Sequence, residues 1–185
     1  MKSLFELGSN YSAQELSYRK ILGQLSDKGN AATIKHYLDL LDKAGIMCGL
    51  QKFDNKILKT KASSPRLLVY DQALMTANNK SLQTLLNDPS SKGHLIESIV
   101  GAALLRWSKL EDFDLYWWRD GNYEVDFIAQ QDENIIAIEV KSGRIKTSGL
   151  LEFRKRYKNA LPLVVGTRNL NLETFLEHKK PLFKT

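Results

Sequence analysis

The chain reads as an α/β protein with a helix-rich N-terminal segment followed by a larger mixed domain. Three observations predict this. Through the first third, apolar residues recur at helical spacing and then give way to two short apolar segments around a turn. From Leu95 to Leu105 a run is apolar almost all round, which marks a mostly buried helix. After it come three strand-like segments, an amphipathic segment and a fourth strand-like segment.

Taken in order, NYSAQELSYRKILGQL predicts an amphipathic helix opened by a capping box, with Ser12 as the cap and Glu15 three positions on. In GNAATIKHYLDLLDKAG, Ile34, Tyr37, Leu38 and Leu41 predict a helix over 31–44, with Asn30 as its cap and Gly45 as its stop. IMCGLQKF, the turn DNK and ILKTK then predict a hairpin. Helix, turn, helix and hairpin is the order of a winged helix-turn-helix. In that order the helix of 31–44 faces DNA, with Thr33, Lys35, His36 and Lys43 among its exposed polar residues. A helical packing module that makes protein contacts is the alternative. The change from polar to apolar in KASSPRLLVYDQ places a boundary near residue 64, giving domains 1–64 and 65–185.

In the second domain SKGHLIESIVGAALLRWSKL predicts the buried helix and DLYWWR an aromatic strand ended by the turn DGN. YEVDFIAQ and IIAIEVK predict two more strands, and LPLVVGT a fourth. SGLLEFRKRYKN between the last two is helical, with Leu150, Leu151, Phe153 and Tyr157 available for burial, and NLETFLEHKK adds a final helix. Of the adjacent Trp117 and Trp118, alternation sends one to the core and leaves the other partly exposed.

The hairpin of the second and third strands holds the candidate site. If residues 131–134 form its loop, Gln130 pairs with Ile135, Asp126 lies opposite Glu139, and Glu124 lies opposite Lys141. Two like charges across a ladder destabilise it, and a divalent cation would compensate. Mg²⁺ (or Mn²⁺) takes hard oxygen ligands and leaves positions for phosphate oxygens, while Lys141 would face the same spot and steady developing phosphate charge. The parts are those of metal-assisted phosphodiester hydrolysis. The plainer reading is a solvated face on which Glu124 pairs Lys141. Glu97, a carboxylate in the apolar helix, is a further candidate ligand, or simply a carboxylate near a helix N-terminus.

Composition narrows the setting. No apolar run approaches the roughly 18–20 residues a spanning helix needs, and MKSLFELGSN lacks the apolar core of a signal peptide, so no membrane association and a cytoplasmic location are expected. One cysteine, Cys48, excludes an intrachain disulfide, and His36, His94 and His178 are too scattered for a Cys/His zinc site. The net charge of +6 and pI near 9.3 suit a polyanionic partner. Seven basic residues against one acid lie between Lys141 and Lys158, among them Arg144 and Lys146.

Asp126, then twelve residues, then Glu139-Val140-Lys141, preceded by a helical Glu97 in a helix-strand-strand-strand-helix-strand order, resembles the PD-(D/E)XK nuclease superfamily. The combination of GHLIESIV, YWWRDGNYEVDFI and IAIEVKSG behind a winged-helix-like segment is similar to the C-terminal region of a family of bacterial and archaeal AAA-type ATPases. In those proteins the region is nuclease-like and of uncharacterised function. The resemblance implies a restriction-endonuclease-like core in which Glu97, Asp126 and Glu139 bind the metal and Lys141 is the catalytic lysine. Val125 stands where the motif's name has proline, and no G-x-x-x-x-G-K-[S/T] occurs, so ATP binding through a P-loop is not expected of this chain.

The expected function is therefore that of a Mg²⁺-dependent, DNA-directed endonuclease-like domain. Lys35, His36, Lys43, Arg144 and Lys146 would contact the nucleic acid, and an ATPase module would belong to the parent protein. The alternative is a non-catalytic DNA-binding or protein-docking module that targets or regulates an ATPase. The oligomeric state is not legible in the sequence.

Overall fold

The computed structural model describes residues 1–25, 29–54, 63–76, 81–141, 147–177 and 182–183. The chain divides into two compact units, Met1–Ala102 and Ala103–Thr185. It is a mixed α/β protein with two sheets.

Unit 1 contains α1 (Lys2–Asn10), β1 (Gln14–Glu15), α2 (Tyr18–Gln24), α3 (Ala31–Lys43), β2 (Met47–Leu50), β3 (Arg66–Val69), α4 (Ala73–Thr76) and α5 (Leu82–Asn87). It also contains the first part of α6 (Pro89–Glu111), within which the division falls. The three strands form one antiparallel sheet in the order β1-β3-β2. Its core gathers Leu4 of α1, Ile21 of α2, Ile34, Leu38 and Leu41 of α3, Met47 of β2 and Leu67 of β3.

α3 follows its local signals closely. Asn30 accepts the backbone N–H of Thr33 at 3.0 Å, Thr33 reaches back to Asn30, and Gly45 takes the left-handed φ of 68° that ends the helix. The expected helix start at Ser12 is not observed. Ser12 is buried, bonded to the hydroxyl of Ser98 at 2.8 Å, and its Oγ accepts the N–H of Val69 at 3.1 Å. That hydroxyl serves the sheet, so α2 starts later, behind Ser17, whose Oγ accepts the N–H of Lys20. α1 lies ahead of any helix the sequence signals placed.

The hairpin expectation holds in its first strand, β2. ILKTK lies outside the described residues, and among those described the partner of β2 is β3, with Met47 opposite Val69 and Leu50 opposite Arg66. The boundary expected near residue 64 would have cut β3 away from its own sheet. The apolar run RLLV is buried on both faces within unit 1 and does not open a new domain.

Unit 2 contains the end of α6, then β4 (Asp114–Asp120), β5 (Tyr123–Gln131), β6 (Asn134–Val140), α7 (Ser148–Arg156), β7 (Leu161–Val165) and α8 (Leu172–Leu176). Its sheet runs β4-β5-β6-β7; the first three strands are antiparallel and β7 is parallel to β6. A parallel neighbour needs a crossover, and α7 supplies it. The expected order of helix, three strands, helix and strand is present.

Two details differ from expectation. Trp117 and Trp118 are both buried, because the two faces of β4 are both covered: Trp118 meets Phe153 of α7 edge-on at 5.2 Å while Trp117 turns to the other face. On α7, Leu150 and Phe153 are buried and Tyr157 is half-buried, but Leu151 is 59% exposed. Among the described residues no helix is long and apolar enough to cross a membrane.

Candidate functional site

The β5–β6 ladder has the expected register. Gln130 stands opposite Ile135, and the pairing extends outward to Gln131 and Asn134, so the turn is Asp132–Glu133, with Asp132 at φ 51°. In the other direction the ladder runs to Phe127 opposite Ile138 and stops. One step further the count would put Asp126 opposite Glu139.

The cause of the interruption lies on the other edge of β5. Tyr116 pairs with Ile128 and Trp118 with Val125, so Asp126 and Phe127 together stand opposite the single Trp117. This is a β-bulge, a device that bends a strand and re-aims a side chain. Here the Asp126 carboxylate turns toward β6 and accepts the backbone N–H of Val140 at 2.7 Å. Asp126 and Glu139 are 8% and 7% exposed. Their side chains lie at the end of β6, where Lys141 follows.

Lys141 is held on both backbone and side chain. Its N–H donates to the carbonyl of Val165 at 2.9 Å, and its Nζ donates to Glu139 Oε1 in a largely buried ion pair. Gly166, at φ 88°, packs so closely that a Cβ there would stand 1.9 Å from the Lys141 carbonyl oxygen. Gly149, near the start of α7, plays the same part for β5: a Cβ would fall 1.8 Å from the carbonyl oxygen of Glu124. The bare backbones of these glycines let α7 and the end of β7 close on the site strands.

Glu124 does not face Lys141 as expected. It is bound by Arg119 across the β4–β5 ladder, through Nε at 2.9 Å and through Nη2. The site therefore has two carboxylates and one lysine, with the third acid drawn away by an arginine. Arg119 was missed because YWWRD reads only as the end of an aromatic strand. Gly149 and Gly166 carried a signal, a glycine flanking an apolar run, without its meaning.

Glu97 is on the unit 1 part of α6, half-buried, with its Oε2 3.7 Å from His94 Nδ1. Asp126, Glu139 and Lys141 come together within unit 2. Among the described residues no three His, Cys, Asp or Glu form a group able to hold a metal ion. Two carboxylates are what unit 2 itself presents.

Lys35, His36 and Lys43 are exposed on α3, as expected. Each already has a neighbour: Lys35 Nζ lies 5.1 Å from the Tyr18 ring centroid, the His36 ring is 6.2 Å from that of Tyr37, and Lys43 Nζ is 2.8 Å from Asp39 Oδ2. The hydrogen bond to Asp39 holds the Lys43 ammonium above the ordinary lysine range. Lys35, Asp39 and Asp42 line a cavity of about 420 Å³ with Tyr18, Cys48 and Gln51. Arg144 and Lys146 lie outside the described residues. The described cations of that region are Arg154, Lys155 and Arg156 of α7 and the following Lys158, all exposed.

Residues 92–180 match a family model described as a domain of unknown function (DUF4143), a domain found in proteins associated with AAA-type ATPases. Residues 1–84 match another, a domain of unknown function (DUF8612). No curated protein and no solved structure matches the chain. The two matched stretches meet between residues 84 and 92, again later than residue 64.

Proposed function

We propose that unit 2 is a Mg²⁺-dependent, endonuclease-like domain of PD-(D/E)XK type that hydrolyses DNA phosphodiester bonds. The observation that carries this reading is the interrupted β5–β6 ladder, where the buried Asp126 carboxylate accepts the N–H of Val140 and the buried Glu139, one residue before it, is bonded by Lys141 Nζ. Burying two carboxylates is costly unless something positive meets them. The β4-β5-β6-β7 order with its α7 crossover supports the same core.

Two hard-oxygen donors on neighbouring strands fit Mg²⁺ or Mn²⁺, which is commonly bound by one or two carboxylates and completed by waters and phosphate oxygens. Asp126 Oδ1 and the Glu139 carboxylate would hold the ion, while Asp126 Oδ2 stays on the Val140 N–H. When bound, the metal polarises the scissile phosphate and lowers the pKa of its water. Lys141, whose Nζ bonds Glu139, would orient the attacking water and steady the charge that develops on phosphate.

Unit 1 supports a winged-helix reading through its element order, α1-β1-α2-α3-β2-β3, and its β1-β3-β2 sheet. In that role Lys35, His36 and Lys43 of α3 meet DNA. The likeness to an ATPase-associated domain supports an ATPase module as partner, with the cytoplasm as the place of action.

The test is incubation with plasmid, linear and branched DNA in Mg²⁺, Mn²⁺ or chelator. Nicking that needs the metal and falls at least about 100-fold in Asp126→Asn and Lys141→Ala is the expected result, on the scale of losing a catalytic electrostatic group. Bound but uncut DNA under every metal condition would overturn it in favour of a non-catalytic targeting module. The ion pair that already occupies Lys141 is the observation that favours that second reading.

A further inference from the structure

Face assignments within unit 2 place an exposed aromatic ring on the approach to the site. Tyr116 and Trp118 share a face of β4, and their partners Ile128 and Val125 share it on β5. Ile128 pairs with Ala137, so Ala137, Glu139 and Lys141 extend that face along β6. α7 covers this same face, since Trp118 packs on Phe153. Tyr123, two residues from Val125, lies on it at the edge, about 10 Å along the strand from Asp126 at the usual rise per residue.

Tyr123 is 43% exposed, and Leu151 on the adjoining helix is more exposed still. Arg156 of α7 stands near Tyr123, because the Asp120 it binds is the partner of Tyr123 across the β4–β5 ladder. Arg156 is committed to Asp120 and lies 5.8 Å from the Trp118 ring, clamping the helix to the β4–β5 turn. Lys155 bonds Glu152 at 2.8 Å, and that bond is the first cause of its raised pKa. Arg154 and Lys158 are exposed and, among the described residues, are held in no ion pair. An exposed aromatic face beside cations that track a phosphate chain is the arrangement that holds unpaired nucleotides, because a base must leave its stack to lie on a ring.

We propose that Tyr123 is a stacking platform for an unpaired base, and that the strand led past Arg154 and Lys158 into the Asp126–Glu139 site is single-stranded DNA. This rests on the reading of unit 2 as a DNA-cutting body and names its substrate form. A paired duplex offers Tyr123 no base face, whereas its phosphates can still meet the cations.

Binding of the full chain to a short fluorescein-labelled oligothymidine and to a duplex of the same length, in chelator so that nothing is cut, tests this by anisotropy. The single strand should bind more tightly than the duplex. Tyr123→Ala should weaken it about tenfold, Tyr123→Phe should keep it, and duplex affinity should be indifferent to both. Equal affinity for the two forms, no binding of the single strand, or a Tyr123→Ala protein that binds it normally would each overturn the inference. Metal-dependent nicking of plasmid is scored separately: nicking with Tyr123-independent binding sinks the substrate form alone, and neither nicking nor binding sinks the reaction as well.

Discussion

Asp126 has two oxygens with different employment. Oδ2 satisfies the N–H of Val140, a group the ladder would otherwise have paired with the backbone of β5. Asp126→Ala leaves that buried donor unmet and should cost about 1–3 kcal/mol, whereas Asp126→Asn keeps an acceptor and most of the stability. Urea unfolding of the two variants separates them; equal midpoints would show that the bond does not contribute. Metal affinity should fall in both. At this scale the sequence was informative because alternation and a turn length are enough to bring residues 126 and 139 together. The capture of Glu124 by Arg119 follows from the two-residue turn Gly121–Asn122, which sets Asp120 opposite Tyr123 and Arg119 opposite Glu124; the bulge further along was not legible, since no local signal marks it.

Among the elements, the end of β7 matters most to the site. Val165 accepts from Lys141, and Gly166 lies against the Lys141 carbonyl in a left-handed conformation. Gly166→Ala combines a Cβ clash with an unfavourable φ and should lower stability by about 1–3 kcal/mol. It should also reduce any metal-dependent cleavage without touching a carboxylate. Thermal unfolding together with the nicking assay checks both parts, and unchanged behaviour in each would show that β7 does not position Lys141. α3 was legible to within a residue because its cap and stop are local chemistry. β3 was not, since an apolar run after a polar stretch looks the same whether it closes an old sheet or opens a new domain. The helix expected from Ser12 failed for a related reason: a serine's hydroxyl is claimed by whatever buries it, here Ser98 and Val69.

For the whole molecule, the charge of +6 says less than where uncommitted cations stand. Lys43, Lys155 and Arg156 are each answered by an acid, and among the described residues Arg154 and Lys158 are not. If those two meet phosphates, Arg154→Ala with Lys158→Ala should reduce the slope of log affinity against log salt by about 1.4 for a single strand. A salt titration of the double variant measures it, and an unchanged slope would move the DNA contact to other cations. The order of elements in unit 2 was legible, because each strand and helix carries its own periodicity, whereas in unit 1 α2, α3 and β2 were legible and α1, β1, α4 and α5 were not. The division between the units was not, because it depends on which sheet RLLV joins.

The bulge in β5 can also be viewed as a surplus. Val125 to Trp118 and Ile128 to Tyr116 are correct pairings on either side of it, and a strand one residue shorter would join them with Phe127 alone opposite Trp117. Removing Asp126 would thus heal the sheet into regular pairing. The inserted amino acid that makes the sheet imperfect is the one whose carboxylate reaches the N–H of Val140, so deleting it to heal the sheet would also remove that bond.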